Sequence, residues 1–246
     1  MKLSFFLYFI PLIISSQSVF DLQLEPIYID ARSINDIRDF DLDSIPPYIY
    51  TSIPDLSTLD VETRKKKFIQ LILPSIIFAK SQIRQAYNSI NEKSLNDLYE
   101  YCSCKSKEEV LLCISEQPIS IILAQAAIES GWGTSRFFRE GLNLFGIHSY
   151  NNQDNRMIAK GGEISSPIFV KKYNNILSSV WDYLRTLARH EAYNEFRVQR
   201  FKHNNVMNLL RYLSKYSERR ELYVNDIAIV IDHNDFLIYD TIKNDM

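Results

Sequence analysis

A mainly α domain carrying one small antiparallel β lobe is what the sequence predicts, on three observations. Apolar residues recur at helical spacing through most of the chain beyond Val61. Three short β-compatible runs, 144–150, 156–160 and 168–173, follow one another, with turn-forming residues at 151–155 and at Gly161 and Gly162. All six glycines, at positions 131, 133, 141, 146, 161 and 162, fall in the segment around those runs. Permissive backbone is therefore concentrated in one place, as functional loops on a rigid scaffold require.

The elements follow in order. The first residues, MKLSFFLYFIPLIISSQSVFDL, place one lysine before a short apolar stretch and then small polar residues. They read as a secretory signal over 1–18 and are too short for a membrane span, which needs roughly 20 apolar residues. Residues 19–60 are acidic and punctuated by Pro26, Pro46, Pro47 and Pro54, and predict an irregular arm that lies over the body or links it to the membrane. From Val61 to Asn91, Phe68, Leu71, Ile72, Ile76, Phe78, Ile83 and Tyr87 line one helical face, with a kink expected at Pro74. The basic run Arg64, Lys65, Lys66 and Lys67 opens this helix, either as a solvated face or as a contact for an anionic wall or lipid surface. Two short helices, Ser94 to Tyr101 and Lys105 to Ile114, flank the cysteines. Export permits a disulfide between Cys113 and either Cys102 or Cys104.

The central element is the apolar run from Ile119 to Ile128, interrupted only by Ser120 and Gln125, which reads as a helix buried nearly all round. Pro118 suits its first turn, and Gly131 and Gly133 stop it. Glu129 stands at its end, on the face of Ile122 and Ala126. Apolar neighbours there disfavour a charged carboxylate and suit a general acid near neutral pH. A short helix from Ser135 to Glu140 precedes the β lobe, and helices over 178–188, 192–200, 206–213 and 220–233 complete the body, with the folded domain expected over 61–240.

An acid on a helix end facing a small β lobe is an arrangement in which a second carboxylate can act across a glycosidic bond. Asp154 and Glu163 are the lobe candidates, and Glu163 is preferred because it follows two glycines and starts a strand-like run. The chain has no HExxH, GxSxG, P-loop or GxGxxG pattern, and its four histidines are scattered. A net charge of −2 gives no general case for nucleic acid, and no metal or cofactor is expected. Trp132, Phe137, Phe138, Phe145 and Tyr150 crowd around the acid, some as core and some as surfaces on which a sugar ring can stack.

The segment LAQAAIESGWGTSRFFREGLNLFGI resembles the signature of the glucosaminidase superfamily, glycoside hydrolase family 73 and its Bax-type relatives. KKKFIQLILPSIIFAKSQI, LARHEAYNEFRVQR and LLRYLSKYSERRELYVNDI resemble further Bax-type blocks in the same order. The resemblance implies a lysozyme-like helical fold with a β lobe, acting on the β-1,4 bond after N-acetylglucosamine in peptidoglycan strands. It implies Glu129 as general acid and export to the periplasm or cell envelope. It also implies a late tyrosine that assists the transition state, with Tyr216 the first choice and Tyr223 the second. Glu163 falls near the hairpin where the family carries its less uniform second carboxylate. Gln125, Trp132, Asn143, Phe145 and Tyr223 are the expected substrate contacts. Related proteins usually have glycine where Arg220 stands. The alternative is a non-catalytic glycan-binding or envelope-scaffolding module with the same fold.

Overall fold

The computed structural model describes residues 25–88, 90, 92–159, 167–203 and 205–242. The expected signal over 1–18 and the second carboxylate candidate Glu163 lie outside them. Two long buried helices organise the rest. The first, α1 (Val61–Asn88), runs through Pro74 without interruption, and Phe68 to Ile83 are buried on every side rather than along one face. Lys80 is tolerated there because it donates to the Gln117 carbonyl at 2.5 Å and pairs with Glu116 at 3.3 Å. Tyr87, expected on the buried face, is exposed.

The other central helix, α4 (Ile119–Ser130), is buried along its whole length except at Ile128 and Glu129. Its first turn is served from the far end of the chain: Asp240, in the 3-10 turn Phe236–Thr241, accepts the Ser120 N–H at 3.0 Å and hydroxyl at 2.5 Å. Gly131 closes it in the left-handed conformation, φ +56°, the geometry that glycine adopts without strain. Between α1 and α4, α2 (Glu92–Cys102) and α3 (Lys107–Ile114) form a hairpin closed by a disulfide from Cys102 to Cys113, leaving Cys104 as a free thiol.

The N-terminal segment is more than the arm that its prolines suggest. β1 (Ile27–Asp30) and β2 (Tyr48–Ser52) pair in parallel, and Ala31, Ile37, Ile45, Ile49, Tyr50 and Leu56 are core residues. Leu56 docks against Gly133. A Cβ at that glycine would lie 2.8 Å from the leucine Cδ1, so the missing side chain admits the arm. The arm also absorbs part of the basic run. Lys67 lies 3.5 Å from Asp39 and donates to the Ile37 carbonyl, Lys65 lies over the Trp132 ring, and only Lys66 of the four is exposed. A broad cationic face is therefore not what these residues form.

Among the described residues, the β lobe is smaller than expected. β3 (Arg156–Ile158) and β4 (Phe169–Lys171) are antiparallel, and the predicted strand over 144–150 contributes only a bridge from His148 to Val170. Before it stands α5 (Arg136–Gly141); after it come α6 (Ile176–Arg189), α7 (Asn194–Lys202), α8 (Val206–Leu209) continued by a 3-10 turn to Tyr216, and α9 (Glu221–His233). The residue before α9, Arg220, has φ +51° and ψ −117°, a region that favours glycine. Arg220→Gly is accordingly expected to relieve ~1 kcal/mol or more of backbone strain and to raise the melting temperature, read by calorimetry.

Candidate active site

Glu129 is half-buried at the last turn of α4. Burial pushes its carboxyl above the ordinary glutamate range, and a hydrogen bond from Tyr223 opposes the shift in part. No cation contributes. Its Oε2 would lie 3.8 Å from a Cβ on Gly146, whose φ of +66° suits glycine, so the carboxyl meets bare backbone on that side. The other groups that sense its charge are tyrosines: Tyr183 on α6, Tyr193 in the 3-10 turn before α7, and Tyr216 and Tyr223 on either side of the start of α9. Burial raises all four, Tyr193 to about 12, so each is a neutral phenol at pH 7. A carboxylic acid in a low-dielectric cage of neutral hydroxyls retains its proton to higher pH than one in water, which a general acid requires.

The expected site residues divide into two groups. Gln125, fully buried, lies one turn before Glu129 on α4; it accepts from the Tyr183 hydroxyl at 2.7 Å and donates to the Tyr223 oxygen at 3.0 Å. Tyr223 is 1% exposed. Phe145 is stacked on Tyr183 with ring centroids 4.0 Å apart. Asn143 donates to the carbonyls of Ile147 and Lys171 and accepts from the Ile147 N–H, all at 2.9 Å, tying the Gly146 turn to β4. These four are the residues expected as substrate contacts; Gln125, Asn143 and Tyr223 turn their polar groups to partners inside the protein and Phe145 packs its ring there, where they hold the acid and its turn in place. Trp132 is partly exposed, but Phe68, Phe236 and Lys65 surround it.

Of the two late tyrosines, Tyr223 is the one whose hydroxyl lowers the Glu129 carboxyl against the effect of burial. Tyr216 stacks on the Tyr223 ring at 5.7 Å, nearly parallel, and its hydroxyl donates to the Phe145 carbonyl at 3.4 Å. In the lobe, Asp154 accepts from Ser149 within its own turn at 2.8 Å. Sequence reasoning passed over Tyr183, Gln117 and Arg200, which join this network from α6, the start of α4 and α7. Only Gln117 lies near the motif, and no local signal marks the other two. Among the described residues, no group of three or more His, Cys, Asp or Glu is placed to hold a metal ion.

A buried acid thus stands at the end of a buried helix, beside a glycine turn leading to a β lobe. The family model described as mannosyl-glycoprotein endo-beta-N-acetylglucosaminidase matches residues 114–236. That is half of the chain and includes Gln117, Glu129, Arg200 and Tyr223; the chain belongs to this glucosaminidase family. It is 27% identical to Protein bax of Escherichia coli, with 76% of each chain covered. Among solved structures, the catalytic domain of the autolysin Auto from Listeria monocytogenes shares 19% identity at a TM-score of 0.49, covering 74% of this chain and 91% of that one.

Proposed function

We propose that the protein is an exported peptidoglycan hydrolase that cleaves the β-1,4 bond after N-acetylglucosamine, with Glu129 as general acid. The observation that carries this reading is the state of Glu129: a carboxyl raised by burial, free of any cation, hydrogen-bonded by Tyr223 and facing a glycine turn. The activity for which the family is named supports the N-acetylglucosamine bond. The signal-like start of the sequence supports export to the periplasm or cell envelope, and export favours wall glycan as the polymer met there.

In the reaction, the Glu129 proton passes to the glycosidic oxygen as its bond to the anomeric carbon breaks. The carbonyl oxygen of the substrate's own 2-acetamido group bonds to that carbon from the opposite face. Water then attacks the same carbon, its proton returns to Glu129, and the acetamido group is released. This substrate-assisted route needs only one protein carboxyl. Tyr223, rather than Tyr216, is assigned to steady Glu129, because its hydroxyl is the one that favours the charged form of the acid. Direct water attack assisted by Glu163 is the competing route, and full activity in Glu163→Gln would remove it.

Mass spectrometry of peptidoglycan digested by the mature protein, beside Glu129→Gln, tests the proposal. Fragments with a reducing-end N-acetylglucosamine, from the wild type alone, are expected. Reducing-end N-acetylmuramic acid would keep the glycosidase and move the bond. No soluble product from either protein, with both still pelleting with the wall, would replace the enzyme by a glycan-binding module.

A further inference from the structure

Arg200, on α7, is a buried cation without a carboxylate partner among the described residues. Burial lowers its pKa to about 10, so it is still charged at neutral pH. All its hydrogen bonds go to neutral acceptors. Its Nε donates to the Ser115 hydroxyl at 3.0 Å, and its Nη2 donates to the Leu112 and Cys113 carbonyls at 3.1 Å each. Its Nη1 donates to Gln117 Oε1 at 2.7 Å. Burying a guanidinium is costly, and the carbonyl contacts alone would only close the end of α3.

The Gln117 contact leads further. A guanidinium can only donate, so the Gln117 oxygen must face it and the Gln117 amide NH₂ must face away. That NH₂ lies 3.4 Å from the Tyr183 oxygen and donates to it. Tyr183 spends its own proton on Gln125 Oε1 at 2.7 Å. Gln125 is thereby turned to donate through Nε2 to the Tyr223 oxygen at 3.0 Å. The Tyr223 proton is then free for Glu129, which follows Gln125 by one turn of α4 and whose charge the Tyr223 phenol senses. Every donor in the series points the same way. Either glutamine amide, if reversed, would break the direction, and Arg200 is the only member with no acceptor and hence no second orientation. The intermediate groups are all buried, so solvent does not compete for their protons: Gln117 is 3% exposed and Tyr183 and Gln125 are not exposed at all.

We propose that Arg200 is a positioning residue for Glu129: it sets the direction of a buried relay, Arg200–Gln117–Tyr183–Gln125–Tyr223, so that the Tyr223 hydroxyl is presented to the acid as a donor. The proposal deepens the glycosidase reading and rests on it only for the role of Glu129. Without Arg200, or with the relay cut at Tyr183, Gln125 is free to turn its oxygen toward Tyr223 and draw that proton away from Glu129. The acid then loses a bond that favours its charged form. The groups from other elements do not replace it: Tyr193 and Tyr216 are neutral, Lys65 lies over Trp132, and Asp240 caps the opposite end of α4.

The test is a carbon-13 NMR titration of carboxyl-labelled glutamates in the whole protein, with the Glu129 resonance assigned by its absence from Glu129→Gln. Tyr183→Phe and Arg200→Met are each expected to raise the Glu129 midpoint by roughly one pH unit, the size of a hydrogen bond to a charged group. The double variant is expected to raise it no further, because both changes cut one relay. Arg200→Lys, which keeps a cationic donor, is expected to bring the midpoint back toward the wild type. Arg200→Met that melts earlier with an unchanged Glu129 midpoint would reduce Arg200 to a cap on α3 and overturn the proposal. Tyr183→Phe leaves α3 untouched, so a wild-type midpoint in that folded variant overturns it independently of how Arg200→Met folds. A wild type that cleaves no peptidoglycan while the midpoints move as expected sinks the functional reading and leaves the relay standing.

Discussion

Glu129→Gln is expected to abolish hydrolysis and, at neutral pH, to make the protein more stable. The loss of rate is on the order of 10²–10⁴-fold, the usual contribution of a positioned general acid. The gain in stability follows from linkage. Burial raises the folded-state pKa of Glu129 above its unfolded value, so the native protein binds more protons than the unfolded chain between the two values. Stability of the wild type therefore falls as pH rises through that interval, and above it the full cost of a buried carboxylate is borne. A glutamine still accepts the Tyr223 hydrogen bond and carries no charge. The melting temperature of Glu129→Gln should exceed that of the wild type above the interval, by roughly 2–4 °C for each kcal/mol relieved. The gap should close below the unfolded-state pKa of about 4.3, where the carboxyl is protonated in both states. A variant that is inactive but less stable than the wild type at pH 8 would mean that the carboxylate is stabilised where it sits, contrary to the acid proposed.

Tyr223→Phe is the second large effect. The Tyr223 hydroxyl favours the ionised form of Glu129, so its removal raises the acid further. The alkaline limb of the kcat/KM profile, set by loss of the Glu129 proton, should move to higher pH. The maximum rate should nonetheless fall, by about 10²-fold, because the carboxylate formed on proton transfer loses its preorganised donor. The same deletion leaves the Gln125 amide, buried beneath, without its acceptor, and unsatisfied buried groups cost about 1–3 kcal/mol. Tyr216→Phe separates the two tyrosines. Its hydroxyl bonds the Phe145 carbonyl rather than the acid, so the limb should stay in place. A limb that moves with Tyr216 and not with Tyr223 would return the supporting role to the former.

The position of Glu129 was legible because its signals are local: an apolar run too long for a surface helix, a terminating glycine, and a carboxylate at their junction, all within a few residues. The helices after the lobe were legible for the same reason, since periodicity needs only neighbouring residues. In the N-terminal segment, prolines and acidic residues mark irregular local backbone, while its packing over the body depends on apolar side chains reaching α1 and Gly133. The burial of Gln125, Asn143 and Phe145 was not legible, because a motif marks importance without saying on which side of the surface a residue lies.

By itself, the sequence determined that this is a mainly α protein with a small β lobe, that its central helix is buried, and that Glu129 emerges where that helix ends. Those outcomes follow from spacing and backbone preference, which act over a few residues. Only the tertiary structure decided that Tyr223 stands beside the acid, that Cys102 bonds Cys113, and that Arg200 stands at the far end of the hydrogen-bonded series that ends on Tyr223. Each of those depends on where separate helices cross, and burial is a property of the packed whole. In water the same glutamines and tyrosines would hydrogen-bond in any direction; enclosed between α4, α6 and α9, they are left with one.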